Sequence, residues 1–164
     1  MYNKYLVVKD TKVGKGTFTT VQIPASNMIV ELAGPVVVDR DVPSIDLPNY
    51  LQIGPNTFMG PSGGAVPEFL NHSCDPNCKI HIVGNRAFLY SLYVIPVNNE
   101  LTFDYATTST DSLESWQMTC KCGSYKCRKT ISGAGYLPTD VYEKYKINNM
   151  LPLYVMEPGI LQKR

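Results

Sequence analysis

Long apolar runs are missing from this chain. No window of about 18 apolar residues occurs, so nothing in it reads as a membrane-spanning helix. The N-terminus, Met1-Tyr2-Asn3-Lys4-Tyr5, has no apolar stretch of signal-peptide length, and an intracellular protein is expected. An excess of charge of either sign is also missing. Lys and Arg number 15 against 14 Asp and Glu, which supplies no general pull toward nucleic acid. Direct nucleic-acid binding is therefore not expected, and a charged partner would have to meet a local patch. No internal repeat is found, and helical periodicity is scarce until residue 139.

What remains is a chain that can bury a core. Its 164 residues fit one domain, and 44% apolar against 18% charged residues is unlike a disordered composition. Short runs rich in β-branched and aromatic residues occur at Tyr5 to Val8, Met28 to Leu32, Val36 to Val38, Lys79 to Val83, Ala87 to Ile95 and Leu101 to Phe103. The 12 Gly and 12 Pro punctuate them, so a mostly β chain of short strands is predicted. Thr139-Asp140 offers a capping residue and a first-turn acid before Val141-Tyr142-Glu143-Lys144-Tyr145, which predicts one C-terminal helix of about two turns. The polar stretch Thr107 to Ser115 reads as a loop.

Cysteine is odd in number, five, and Cys120, Cys122 and Cys127 form a C-x-C-x4-C cluster. In a reducing compartment such a cluster reads as metal ligation sooner than as a disulfide framework. Tetrahedral zinc needs four ligands, so one must come from elsewhere: Cys74, Cys78, His72 and His81 are the candidates. Unrelated free thiols in the core are the alternative. The segment Asn71-His72-Ser73-Cys74-Asp75-Pro76-Asn77-Cys78 holds a Cys and a His. Sequence neighbours two apart rarely meet as nucleophile and base, and in isolation the octapeptide reads as an Asn/Asp/Pro turn.

The order of segments carries more than any one of them. Gly14-Lys15-Gly16, Ile29-Val30-Glu31-Leu32-Ala33-Gly34, Asn71 to Asn77, Glu100-Leu101-Thr102-Phe103-Asp104-Tyr105 and the C-x-C-x4-C cluster follow one another. Together they resemble the SET domain with its post-SET zinc motif, from about residue 5 to residue 131. The resemblance implies a β-clip-like fold of several short sheets. In it the Asn-His and Glu-Leu-Thr-Phe-Asp-Tyr segments thread through one another in a pseudoknot, followed by a zinc segment and a C-terminal helix. The implied division is a SET domain at 1–106, a linker at 107–117, a post-SET zinc segment at 118–134 and a helix with tail at 135–164.

The same resemblance implies an S-adenosylmethionine-dependent protein-lysine methyltransferase that leaves S-adenosylhomocysteine. Val13, Gly14, Lys15 and Gly16 would lie along the cofactor, with Lys15 near its carboxylate and the glycines permitting close approach. Tyr50, Asn71, His72 and Tyr105 match further cofactor contacts, and Ile131 matches an apolar residue packing on the adenine. Cys74 matches the fourth Zn2+ ligand beside Cys120, Cys122 and Cys127, leaving Cys78 as the odd thiol. Tyr105 matches the catalytic tyrosine, and Phe103 the aromatic position that controls how many methyl groups are added. The implied partner is a protein or peptide bearing a lysine, histone, histone-like or other, met in the cytoplasm or at the chromosome.

Two departures stand out. Glu68 occupies a place where the family often has arginine, and Asn99 replaces a glycine, where Asn can still adopt the left-handed conformation. The 164 residues contain no cysteine-rich pre-SET region or reader domain and resemble compact SET proteins of bacteria and large viruses. A SET-like module that binds peptide without turnover is the alternative class, and a purely structural zinc protein a third.

Overall fold

The computed structural model describes residues 3–38, 49–64, 66–110 and 116–156. Residues 111–115 of the expected loop Thr107 to Ser115, and the tail beyond 156, lie outside the described residues. A 3-10 turn at Asn3–Tyr5 leads into β1 (Leu6–Thr11), so the first strand begins one residue later than its aromatic signal suggests. β1 forms an antiparallel hairpin with β2 (Gly14–Thr19), in register from Leu6 opposite Thr19 to Thr11 opposite Gly14. The two glycines of β2 mask it from a reading by strand propensity; its ladder with β1 makes it a strand.

β3 (Met28–Leu32) follows, then β4 (Val36–Val38), β5 (Leu51–Gly54) and β6 (Thr57–Met59). The last three form one antiparallel sheet in the order β4-β6-β5. After β7 (Asn71–His72), β8 (Cys78–Val83) and β9 (Arg86–Ser91) join β3 in a second antiparallel sheet, ordered β3-β9-β8. The expected strand to Ile95 ends at Ser91, and Ile95 instead forms an isolated bridge with Ile23. β10 (Thr102–Phe103) pairs in parallel with β7, and β11 (Met118–Thr119) pairs with β12 (Thr130–Ile131). Many small sheets around one crossing are the architecture that the resemblance implied.

The single α-helix among the described residues is α1 (Thr139–Ile147). Thr139 is its first helical residue rather than its cap. Pro138 takes the cap position and makes no side-chain cap bond, so Asp140 in the first turn and Lys144 and Lys146 in the last supply the terminal complementarity. Tyr142 and Tyr145, three apart, are its buried face. The left-handed turn expected at Asn99 falls one residue earlier, at Asn98, whose φ is 63°. No helix among the described residues is long and apolar enough to cross a membrane.

Three clusters fill the interior. The largest gathers Ile23, Ile29, Ile80, Leu89, Leu101 and Phe103 from the β body. Full burial of one such side chain contributes roughly 1.5 to 3 kcal/mol. The second packs Tyr142, Tyr145, Met150, Leu151, Tyr154 and Val155 against Ala106, so the C-terminal segment rests on the chain just after Tyr105. The third joins Cys74 and Cys120 to Ile131. The start of the expected linker is part of this interior. Thr107, Thr108 and Thr110 are buried, and the Tyr154 hydroxyl lies 2.8 Å from both the Thr108 and Gln52 carbonyl oxygens, a setting that polarity alone did not signal.

Candidate functional site

The site begins where two distant segments cross. β7 and β10 align Asn71 with Thr102 and His72 with Phe103, and the Ser73 N–H donates to the Phe103 carbonyl at 3.1 Å. The Asn77 side chain braces the incoming strand, donating from Nδ2 to the Glu100 carbonyl at 2.7 Å and accepting the Thr102 N–H at 2.9 Å. A two-residue strand cannot hold its register alone, and this amide supplies the missing backbone partners. Phe103 and Tyr105 are thereby delivered beside Asn71 and His72.

Beside the crossing lies a cavity of about 510 Å³ whose wall includes Lys15, Tyr50, Asn71, Phe103, Tyr105 and Trp116. Asp104 between the two aromatics is extended, so Phe103 and Tyr105 point to one side, with ring centroids 4.9 Å apart at 45°. The Tyr105 N–H donates to His72 Nδ1 at 3.2 Å, and its hydroxyl donates to the Leu70 carbonyl at 2.7 Å. Burial, aided by the Glu100 carboxylate, raises the phenol to about 12. Tyr105 is therefore a neutral hydroxyl near pH 7, able to orient a partner through its lone pairs but not to act as a phenolate base.

The Asn71 side chain faces β2, donating from Nδ2 to the Lys15 carbonyl at 2.9 Å and to Glu100 Oε1 at 2.7 Å. Gly16 serves this contact. A Cβ there would stand 2.3 Å from Glu100 Oε1 and 3.0 Å from Asn71 Nδ2, so a side chain at this position would displace the Glu100 carboxylate from Asn71. Gly14, at φ 115°, has open space where its Cβ would be. The Lys15 ammonium lies 5.7 Å from the Phe69 ring centroid. Lys15, Tyr50, Asn71, Phe103 and Tyr105 line the cavity, whereas Val13, Gly14, Gly16, His72 and Ile131 lie outside its wall. Val13 is exposed in the turn between β1 and β2, and Ile131 is buried among the thiols. Glu68 also reaches the cavity rim, where its carboxylate accepts the N–H groups of Ser62 and, at 2.6 Å, Gly64.

On the other side of His72 the thiols converge. The ligand atoms of His72, Cys74, Cys120 and Cys122 lie within 4.8 Å of one another, with Cys74 Sγ 3.7 Å from Cys120 Sγ. Cys127, half-buried, packs against the same thiol cluster without belonging to that close group of four. Gly123 at φ 72° turns the chain back between them. Cys78 is instead wholly buried in β8, away from the cluster. This gathers five donors. His72 Nδ1 accepts the Tyr105 N–H, so its proton sits on Nε2, which faces Cys74 Sγ at 3.2 Å as a donor. Burial holds the imidazole neutral by lowering its pKa to about 4. The Arg128 N–H points at the same sulfur at 3.4 Å. Although burial opposes ionisation, backbone and thiol hydrogen bonds bring Cys122 down to about 7. Four thiols, two of them buried, with an N–H supporting one, suit a closed tetrahedral zinc site with its outer shell.

Asp104, Arg128, Tyr145, Trp116 and Asn77 belong to this neighbourhood and were not singled out from sequence. Asp104 and Asn77 stand within the motif segments, while nothing in the sequence marks Tyr145 or Trp116.

Known proteins are similar to this chain in sequence and fold. Residues 14–106 match the SET domain family. The chain is 30% identical over 132 residues to histone-lysine N-methyltransferase trithorax of Drosophila virilis, covering 73% of this chain and 3% of that protein. It is 30% identical over 131 residues to histone-lysine N-methyltransferase SETD1 of Drosophila melanogaster, covering 71% of this chain and 8% of that one. The chain thus spans only a small fraction of these relatives' length. Among solved structures, KRYPTONITE in complex with mCHG DNA and SAH superimposes with a TM-score of 0.64 at 28% identity, over 77% of this chain and 29% of that chain. KRYPTONITE in complex with mCHH DNA, an H3(1-15) peptide and SAH gives 0.63 at 26% identity, with the same coverage. The matched span holds β2, the β7–β10 crossing and Tyr105, and the chain belongs to the SET-domain family.

Proposed function

We propose that the chain is a protein-lysine N-methyltransferase that uses S-adenosylmethionine and carries one zinc. The observation that carries this reading is Tyr105 beside Phe103 in the wall of a cavity whose other wall residues include Asn71 and Lys15. When bound, the cofactor supplies a methyl group on a positively charged sulfur.

The protein's part is to prepare the acceptor. A lysine with a reference pKa of about 10.4 is almost wholly protonated at neutral pH, and its ammonium has no lone pair. The apolar, aromatic wall formed by Phe58, Phe103 and Tyr105 disfavours the cation and favours neutral amine. The Tyr105 hydroxyl, its proton already committed to Leu70, offers lone pairs to orient that amine. Positioning of this kind supplies much of the acceleration in a displacement that needs its atoms in line. Asn71, Lys15 and Tyr50 would hold the cofactor, with Val13, Gly14, Gly16, His72 and Ile131 as further contacts. Cys74, Cys120, Cys122 and Cys127 would hold the zinc, with the His72 Nε2–H outside that set. Phe103 has no hydroxyl with which to fix a water beside the amine, so room remains for two or three methyl groups.

The lysine-bearing partner we infer is a peptide segment of a histone, a histone-like protein or another protein, met in the cytoplasm or at the chromosome. Relatives named histone-lysine methyltransferases and the H3 peptide in a KRYPTONITE complex support this. DNA is present in both KRYPTONITE complexes, of which this chain covers 29%, and the near-neutral charge here favours a peptide partner. A lysate incubated with methyl-labelled S-adenosylmethionine, read by mass spectrometry, tests the proposal: new methyl-lysine is expected, and its absence together with no cofactor binding would overturn it.

A further inference from the structure

Asp104 stands between Phe103 and Tyr105, and its side chain is wholly buried. A buried carboxylate is costly unless a cation and several donors surround it. Oδ1 accepts the Ala106 N–H at 3.1 Å and Arg128 Nη2 at 2.8 Å. Oδ2 accepts Arg128 Nη1 at 2.7 Å and the Tyr145 hydroxyl at 2.8 Å. The guanidinium meets the carboxylate with two parallel bonds, the geometry that a point-charge ammonium cannot reproduce.

The donors come from three parts of the chain. Ala106 belongs to the 3-10 turn Tyr105–Thr107, which Asp104 caps; the Asp104 carbonyl also accepts the Thr107 N–H at 2.9 Å and the Thr107 hydroxyl at 2.7 Å. Arg128 follows Cys127 directly and sends its own N–H to Cys74 Sγ. Tyr145 is on the buried face of α1. A displacement of Arg128 or Tyr145 therefore acts on the carboxylate that caps the turn, and Tyr105 is the first residue of that turn.

We infer that Asp104, Arg128 and Tyr145 form a positioning network through which the cysteine segment and α1 hold Tyr105 in the cavity wall. The inference rests on the role given to Tyr105 above. Arg128 and Tyr145 touch neither cavity nor acceptor, so they are positioning residues; neither is in the cavity wall. Their loss misplaces a catalytic hydroxyl without removing any residue of the cavity wall.

The test uses the zinc-loaded full chain with Tyr145→Phe, which keeps the ring in its packing, and Arg128→Lys, which keeps the charge without the fork. NMR of isotope-labelled protein should show the Tyr105 amide and ring resonances shifted in both variants. On an H3(1-15) peptide, kcat should fall on the order of 10-fold in Tyr145→Phe and further in Arg128→Lys, with peptide KM and S-adenosylmethionine Kd unchanged. Unmoved Tyr105 resonances would overturn the inference, as would a kcat loss matched by an equal loss of cofactor affinity. Should Arg128→Lys fail to fold, Tyr145→Phe carries the test alone. Wild-type protein without methyl transfer would count against the proposed function, and the resonances would still decide the network.

Discussion

Asn71 Nδ2 lies 2.7 Å from Glu100 Oε1 and 2.9 Å from the Lys15 carbonyl, so one amide joins β2, β7 and the segment entering β10. Removing it leaves a carboxylate and a carbonyl without that donor. Both acceptors are partly open to water, so Asn71→Ala should lose about 0.5 to 1.5 kcal/mol of stability. Because Asn71 also lines the cavity, S-adenosylmethionine binding should weaken in the same variant. Thermal unfolding and titration calorimetry read the two effects, and an unaltered Tm would contradict the joining role.

Gly16 faces the same junction. A methyl group there meets Glu100 Oε1 at 2.3 Å and Thr11 Cγ2 at 2.8 Å, so Gly16→Ala should cost about 1 to 3 kcal/mol through overpacking. At Gly14 the added Cβ meets nothing, and the cost there comes from backbone conformation at φ 115°. Denaturant midpoints compare the two. Equal loss in a variant where Glu100 is also shortened to Asp would show that the clash is not with this carboxylate.

Much of this site could be read from sequence because its chemistry is local in the chain. The Asn71 to Asn77 and Glu100 to Tyr105 segments each carry several candidate groups in a few residues, and the C-x-C-x4-C spacing marks its own candidate thiols. Strands with β-branched runs, β3 and β8 among them, were legible for the same reason. β2, paired across a tight turn with β1, was masked by its two glycines, and β7 was not legible because its partner β10 lies far along the chain. The second role of Gly16 and the Asp104–Arg128–Tyr145 contacts are equally non-local. The C-terminal helix was equally legible, but its cap falls on Pro138 and not on Thr139, because propensity does not distinguish a cap from the first residue after a proline.

The thiol cluster makes a metal prediction. Cys74→Ser should lower bound zinc below one per chain, whereas Cys78→Ala, in the β core, should keep it near one. His72→Ala should retain zinc with weakened affinity, as expected for a donor to a ligand and not a ligand itself; a 10- to 100-fold loss is typical. Elemental analysis and competition with a chelator measure both. Full zinc in Cys74→Ser would contradict the assignment.

Phe103 makes a product prediction. The Phe103 ring lies 4.9 Å from that of Tyr105 in the same cavity wall, and under the proposed function a hydroxyl added to it would hold a water beside the acceptor amine. Phe103→Tyr should shift products from di- or trimethyl-lysine toward monomethyl-lysine with the first transfer largely retained. Methylation states on one peptide at long incubation check this. An unchanged distribution would assign the count to another residue.

The most direct test of the account is the rate of methyl transfer by Tyr105→Phe against wild type, on one lysine peptide and at saturating S-adenosylmethionine. The substitution removes the hydroxyl that donates to Leu70 and leaves the ring beside Phe103 and His72. The account predicts an intact fold, unchanged cofactor affinity and turnover reduced by something on the order of 10² or more. Turnover equal to wild type would contradict it.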